Sequence, residues 1–141
     1  MTQAAFEEYY RHALKKLGFS LGLADALDDD LPAGIPDALR AWYRVAGRSR
    51  LNSAHNRILG PGELGHEGGK VVFAEENQEV VIWGFGASEN VEDPEVWQGQ
   101  RDVSLGCEWY SEELALSRFL VEMIRHTVVH ERPVPWNAEP T

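Results

Sequence analysis

Val80-Val81-Ile82-Trp83-Gly84-Phe85 is apolar at consecutive positions, without the alternation of a half-exposed strand or the spacing of an amphipathic helix. A run this short fits a strand covered on both faces, central in its sheet. Val71-Val72-Phe73-Ala74 precedes it. The intervening Glu75-Glu76-Asn77-Gln78-Glu79 is polar and suits a hairpin loop. The chain must therefore build a sheet around this pair.

Helical patterns lie on either side. Phe6, Tyr9, Tyr10, Ala13, Leu14 and Leu17 form one stripe, with Glu7 and Glu8 in the expected first turn, Lys15 and Lys16 in the last, and Gly18 as a stop. Leu21, Ala24 and Leu27 fit a short helical piece before Asp28-Asp29-Asp30. Leu31-Pro32-Ala33-Gly34-Ile35-Pro36 is a stiff, extended entry, because a residue before proline avoids helical geometry. Pro36 suits the first turn of a second helix, with Ala38, Leu39, Trp42, Val45 and Ala46 as its stripe and Gly47 as its end. Residues 48–70 are loop-rich, with Arg57-Ile58-Leu59 as a short strand before Gly60-Pro61-Gly62.

Beyond the hairpin, Pro94 predicts that Glu95-Val96-Trp97-Gln98 is an edge strand. Val103, Leu105, Cys107 and Trp109 alternate with Ser104, Gly106 and Glu108, a strand buried on one side. Ser111 is placed to cap a last helix, with Glu112 and Glu113 at its positive end. Leu116, Phe119, Leu120, Met123, Ile124 and Thr127 form the stripe that packs on the sheet. The order gives an α+β fold. It is a single domain over residues 1–130, a mostly antiparallel or mixed sheet covered by N-terminal and C-terminal helices. Residues 131–141 form a loose Pro-rich tail.

A length of 141 residues fits one such domain. No apolar run nears the roughly 20 residues that span a bilayer, so no membrane partner is expected. The N-terminus lacks a basic head and an apolar core, so no secretory signal is expected. Cys107 is the single cysteine, which excludes an internal disulfide, and the expected location is cytoplasmic.

The formal net charge of −10 is not spread evenly. Residues 75–113 hold eleven acids and one base, Arg101, while the rest of the chain is neutral. That segment repels phosphate backbones, which argues against nucleic acid as a partner. It would attract a basic protein and speed encounter with it. The alternative is a solvated face that aids solubility.

Residues that could carry chemistry are few. Glu122, His126 and His130 share a helix face at metal-pair spacing, yet no third ligand type completes a site, and histidines near a helix C-terminus are favoured by its dipole. His55 and His66 match no ligand spacing. Cys107 falls on the buried phase of its strand beside Glu108, and both features raise a thiol pKa, away from reactivity. Glu75, Glu76 and Glu79 on a tight loop lack the apolar pocket that acid–base work needs. Asp28-Asp29-Asp30 lacks the spacing of a calcium loop, and Gly60-x-Gly62 and Gly84-x-Gly86 are too short to cradle phosphate. Arg40, Arg44, Arg48, Arg50 and Arg57 form a basic cluster that either pairs with acids across the fold or is solvated. No cofactor is expected. Trp42 and Trp83 read as core, and Trp97 and Trp136 as candidate interface anchors.

Leu31-Pro32-Ala33-Gly34-Ile35-Pro36-Asp37-Ala38-Leu39-Arg40-Ala41-Trp42-Tyr43, running to Gly47, resembles the opening of SUKH-superfamily domains. Arg57-Ile58-Leu59 with Glu63-Leu64, then Phe73-Ala74-Glu75-Glu76-Asn77-Gln78 with Val81-Ile82-Trp83-Gly84, resemble the family's next elements. Asp93-Pro94-Glu95-Val96-Trp97 and Leu116-Ser117-Arg118-Phe119-Leu120 resemble its following strand and closing helix. The likeness spans about residues 31–125. The turn after the central strand, Gly84 to Asn90, departs from the family's short proline turn. The resemblance implies an α+β domain that is no enzyme. Bacterial members are commonly immunity proteins that bind and neutralise a toxin, often a nuclease or deaminase; fungal members regulate cell-wall synthesis through protein contacts. Trp42, Gly47, Trp83 and Gly84 are fold determinants in that reading. The expected partner-binding residues are Glu75, Glu76, Glu89, Glu92, Asp93, Glu95 and Trp97, facing a basic toxin domain. The alternatives are a small enzyme or metal protein using Glu122, His126 and His130, or an adaptor without a toxin partner.

Overall fold

The structure, a computed structural model, describes residues 1–54, 56–78, 80–87, 92–102 and 106–131. Among the described residues three α-helices, α1 (Gln3–Lys16), α2 (Asp37–Ala46) and α3 (Leu116–Glu131), lie on one face of a six-stranded sheet. Its strands are β1 (Asn56–Ile58), β2 (Gly65–Glu67), β3 (Lys70–Glu76), β4 (Val81–Gly86), β5 (Glu95–Asp102) and β6 (Gly106–Ala115). The order across the sheet is β1-β3-β4-β5-β6, with β2 also on β3, and every pairing is antiparallel. This is the α+β fold expected, with β4 at its centre.

The stripe residues meet in one core. Phe6, Tyr10 and Leu14 of α1, Leu39 and Trp42 of α2, and Leu116, Leu120 and Ile124 of α3 close over Phe73, Ala74, Trp83, Phe85 and Val96. A bulge between Val72 and Ala74 lets the adjacent Phe73 and Ala74 both face the helices. Among the described residues no α-helix lies on the other face. Leu59, Val72 and Ile82 form a small cluster there, joined by Leu64, Cys107 and Trp109.

Polar groups inside this core are matched. Tyr10 donates to the Ala38 carbonyl and Tyr43 to that of Leu59, each at 2.7 Å. Trp42 donates its indole N–H to Asn52 Oδ1 at 2.8 Å, and the Asn52 amide donates to the Ala46 and Ser49 carbonyls at the end of α2. Gly47 closes α2 with a negative φ. Glycine is needed there for space: a Cβ would stand 2.5 Å from Leu27 Cβ and 2.6 Å from the Tyr43 carbonyl oxygen.

Five local expectations change. Helix α1 begins at Gln3 with Thr2 as its cap, so Glu7 and Glu8 sit beyond the first turn. Leu21, Ala24 and Leu27 do not make one helical piece; a single 3-10 turn covers Leu23–Asp25. Glu75 and Glu76 belong to β3, not to the hairpin loop. Strand β5 is interior, between β4 and β6. Pro94 precedes its first residue, so the missing N–H costs the ladder nothing, and its carbonyl accepts from Leu116 N. Ser111 does not cap α3. It lies in β6, which runs on to Ala115 through a bulge where Glu113 has φ 59°. The helix cap comes instead from Asp93, which accepts from Ser117 N at 2.8 Å and Ser117 Oγ at 2.6 Å.

Candidate functional site

The expected binding residues fall into two groups. Glu75, at the β1–β3 side, is bound by Arg57 at 2.9 Å, and Arg57 also reaches Glu63 at 3.3 Å. These two carboxylates hold the guanidinium pKa above its ordinary value. Glu76 accepts from Val81 N across the hairpin. The second group gathers at the start of β5. Glu92 binds the N-terminal ammonium of Met1 at 2.8 Å, Asp93 caps α3, and Glu95 accepts from Ser111 Oγ. Glu89 lies outside the described residues, as do Glu79, His55, Trp136 and the side chain of His130. Much of the acidic segment therefore holds the fold together.

Trp97 sits on the helix-free face of the sheet, partly exposed. Lys70 Nζ lies 5.0 Å from its ring centre and 5.6 Å from that of Trp109 on β6, within cation–π range of both. Gly99 opposes Trp109 in the register, and a Cβ on it would stand 2.7 Å from both Trp109 Cζ3 and Cys107 Sγ. The bare backbone of Gly99 is what lets Trp109 lie down against the strand. The indole N–H groups of Trp97 and Trp109 are buried without an acceptor among the described residues.

Within the acidic segment, the described carboxylates left exposed lie along the last two strands. Glu92 and Glu95 stand at the start of β5, Asp102 at its end, and Glu108 and Glu113 on β6, where Tyr110 is also exposed. Arg101, the base of this region, is paired with Glu67 at 3.1 Å. Glu112 is turned inward, accepting from Trp83 Nε1 at 2.9 Å and Gln98 Nε2 at 3.0 Å. Sequence reasoning passed over Glu113 as an interface residue because it placed the end of β6 in a helix, and it used Glu108, on the exposed phase of its strand, only as a neighbour of Cys107. It also missed β2, although Gly68-Gly69, both with positive φ, is a two-residue hairpin signal.

The remaining candidates for chemistry come apart. Glu122 pairs with Arg125, His126 is exposed, and among the described residues no three His, Cys, Asp or Glu side chains converge as metal ligands. Burial and Glu67 push the Cys107 thiol up, against the pull of Arg101. Arg40 and Arg44 donate to the Pro32, Leu27 and Asp29 carbonyls, and Arg48 reaches Asp29. They fix the loop before α2. A surface hollow of about 530 Å³ lies beside them, lined by Phe19, Leu21, Arg48, Arg50 and Leu51. No described helix is long and apolar enough to cross a membrane. No family model, curated protein or solved structure matches the chain.

Proposed function

We propose that this chain is a non-enzymatic protein-binding module, and within that class an immunity protein that occludes a basic toxin domain such as a nuclease or deaminase. One observation carries the reading. The exposed carboxylates Glu92, Glu95, Asp102, Glu108 and Glu113 collect along the last two strands, while the arginines of the helical side hold loop carbonyls. Such a surface steers a cationic partner and stands in for the phosphates that a nuclease would bind. The sequence resemblance to SUKH domains supports a toxin as that partner.

Immobilised chain, incubated with extract of its native cell, should capture a basic protein whose enzymatic activity is lost in the complex. Its association should slow as salt rises. Capture of no basic protein, or a complex that leaves the partner's activity intact, contradicts the proposal.

A further inference from the structure

Strand β6 has β5 on one side and no described strand on the other. The direction of its backbone groups follows from the ladder. Arg101 N donates to the Val80 carbonyl on the β4 side. In an antiparallel ladder bonding direction alternates, so Gly99 and Trp97 also bond towards β4, while Gln98, Gln100 and Asp102 bond towards β6. Their partners Tyr110, Glu108 and Gly106 are thereby satisfied. The backbone N–H and C=O groups of Cys107, Trp109 and Ser111 point off the edge of the sheet.

We propose that this edge is where the partner docks: an extended, basic segment adds to β6 as a further strand. The inference rests on the reading of the chain as a binder of a basic protein, and it names how that protein is gripped. The incoming backbone would bond to Cys107, Trp109 and Ser111. Its side chains would alternate. Those beside Glu108 and Tyr110 fall on one face, where a lysine or arginine meets a carboxylate or an aromatic ring. Those beside Cys107 and Trp109 fall on the other, where apolar groups extend the cluster around Ile82.

Charge selects the occupant. Each copy of the chain carries −10, so pairing two β6 strands would bring two like-charged molecules together with Glu108 of both copies in one ribbon. A basic strand meets the same carboxylates with opposite sign. The bulge at Glu113 ends the straight run, leaving Gly106 to Ser111 as the docking length, about 20 Å at about 3.4 Å per residue.

The test uses the whole chain, ¹⁵N-labelled, with a synthetic nine-residue peptide alternating lysine and valine. Amide hydrogen exchange at Cys107, Trp109 and Ser111 should slow by 1 + [L]/Kd, about tenfold at a peptide concentration about ten times Kd. Glu108 and Tyr110, already bonded to β5, should change little. The same peptide N-methylated at alternate residues, or with glutamate for lysine, should lose the effect, and Glu108→Lys should weaken it about fivefold. Binding that leaves the three amides unchanged overturns the docking edge and leaves the basic partner standing. Absence of peptide binding also overturns the edge, and capture from extract then decides the wider reading separately. A dimer in sedimentation with the three amides already protected overturns it too, because the occupant is then a second copy.

Discussion

At one edge of the sheet, β1 and β2 share the outer side of β3, each only three residues long. Arg57 of β1 is tied to Glu75 and Glu63, and the residue after β1, Leu59, is held through its carbonyl by Tyr43. At the other edge, β6 runs for ten residues with exposed Glu108, Tyr110 and Glu113. Short strands blunt an edge against strand addition; charge on a long edge strand deters strands of like charge and attracts a partner of opposite sign. The difference separates an edge tied into the fold from one that the proposal assigns to a partner.

Both edges hang on the same helix-covered core, so the largest effect should come from breaking that core. Leu120→Ala, at a fully buried position of α3, should cost about 2–5 kcal/mol. Urea denaturation followed by tryptophan fluorescence and by circular dichroism should show one coincident transition. Separate transitions would mean that β6 folds independently, which would break the comparison.

Alkali should strike the short edge next. Burial pushes the Tyr43 phenol well above its ordinary value of 10.0, and Tyr10 likewise. A raised folded pKa gives stability that is complete below the unfolded value and is lost as pH rises through the folded one. The urea midpoint should therefore fall as pH climbs past 10, and less steeply in Tyr43→Phe.

Gly99→Ala addresses the long edge. Its Cβ must displace Trp109 or Cys107, at an expected cost of about 1–3 kcal/mol. The near-ultraviolet signal of Trp109 should change, and peptide binding at β6 should weaken with it. Arg57→Ala should cost at most about 1 kcal/mol, and less in high salt, because its side chain is 47% exposed. Glu108→Lys should be the mildest, within about 0.5 kcal/mol in stability, yet it should slow association with a basic partner. A stability loss as large as that of Gly99→Ala would show Glu108 to be structural.

The elements visible in the sequence were those written in periodicity: the stripes of α1, α2 and α3, and the continuous apolar run of β4. What stayed hidden depended on distant residues. Ser111-Glu112-Glu113 has the local pattern of a helix start. Glu95 accepts from Ser111, while Trp83 and Gln98 engage Glu112, keeping the segment in the sheet. Pro94 signalled an edge because its position relative to the first ladder bond cannot be read locally. The acidic segment was legible as charge, and its internal pairings were not, since Arg57 and Ser117 lie 18 and 24 residues from Glu75 and Asp93. Glu108 was legible as the exposed phase of its strand, while Glu113 became visible on β6 only with the register.

The most direct measurement is amide hydrogen exchange along β6 in the free protein. Glu108 and Tyr110, bonded to β5, should exchange slowly, and Cys107, Trp109 and Ser111 fast, an alternation of period two. Uniform protection across Gly106–Ser111 would mean that the outer edge is already covered, and would contradict the account.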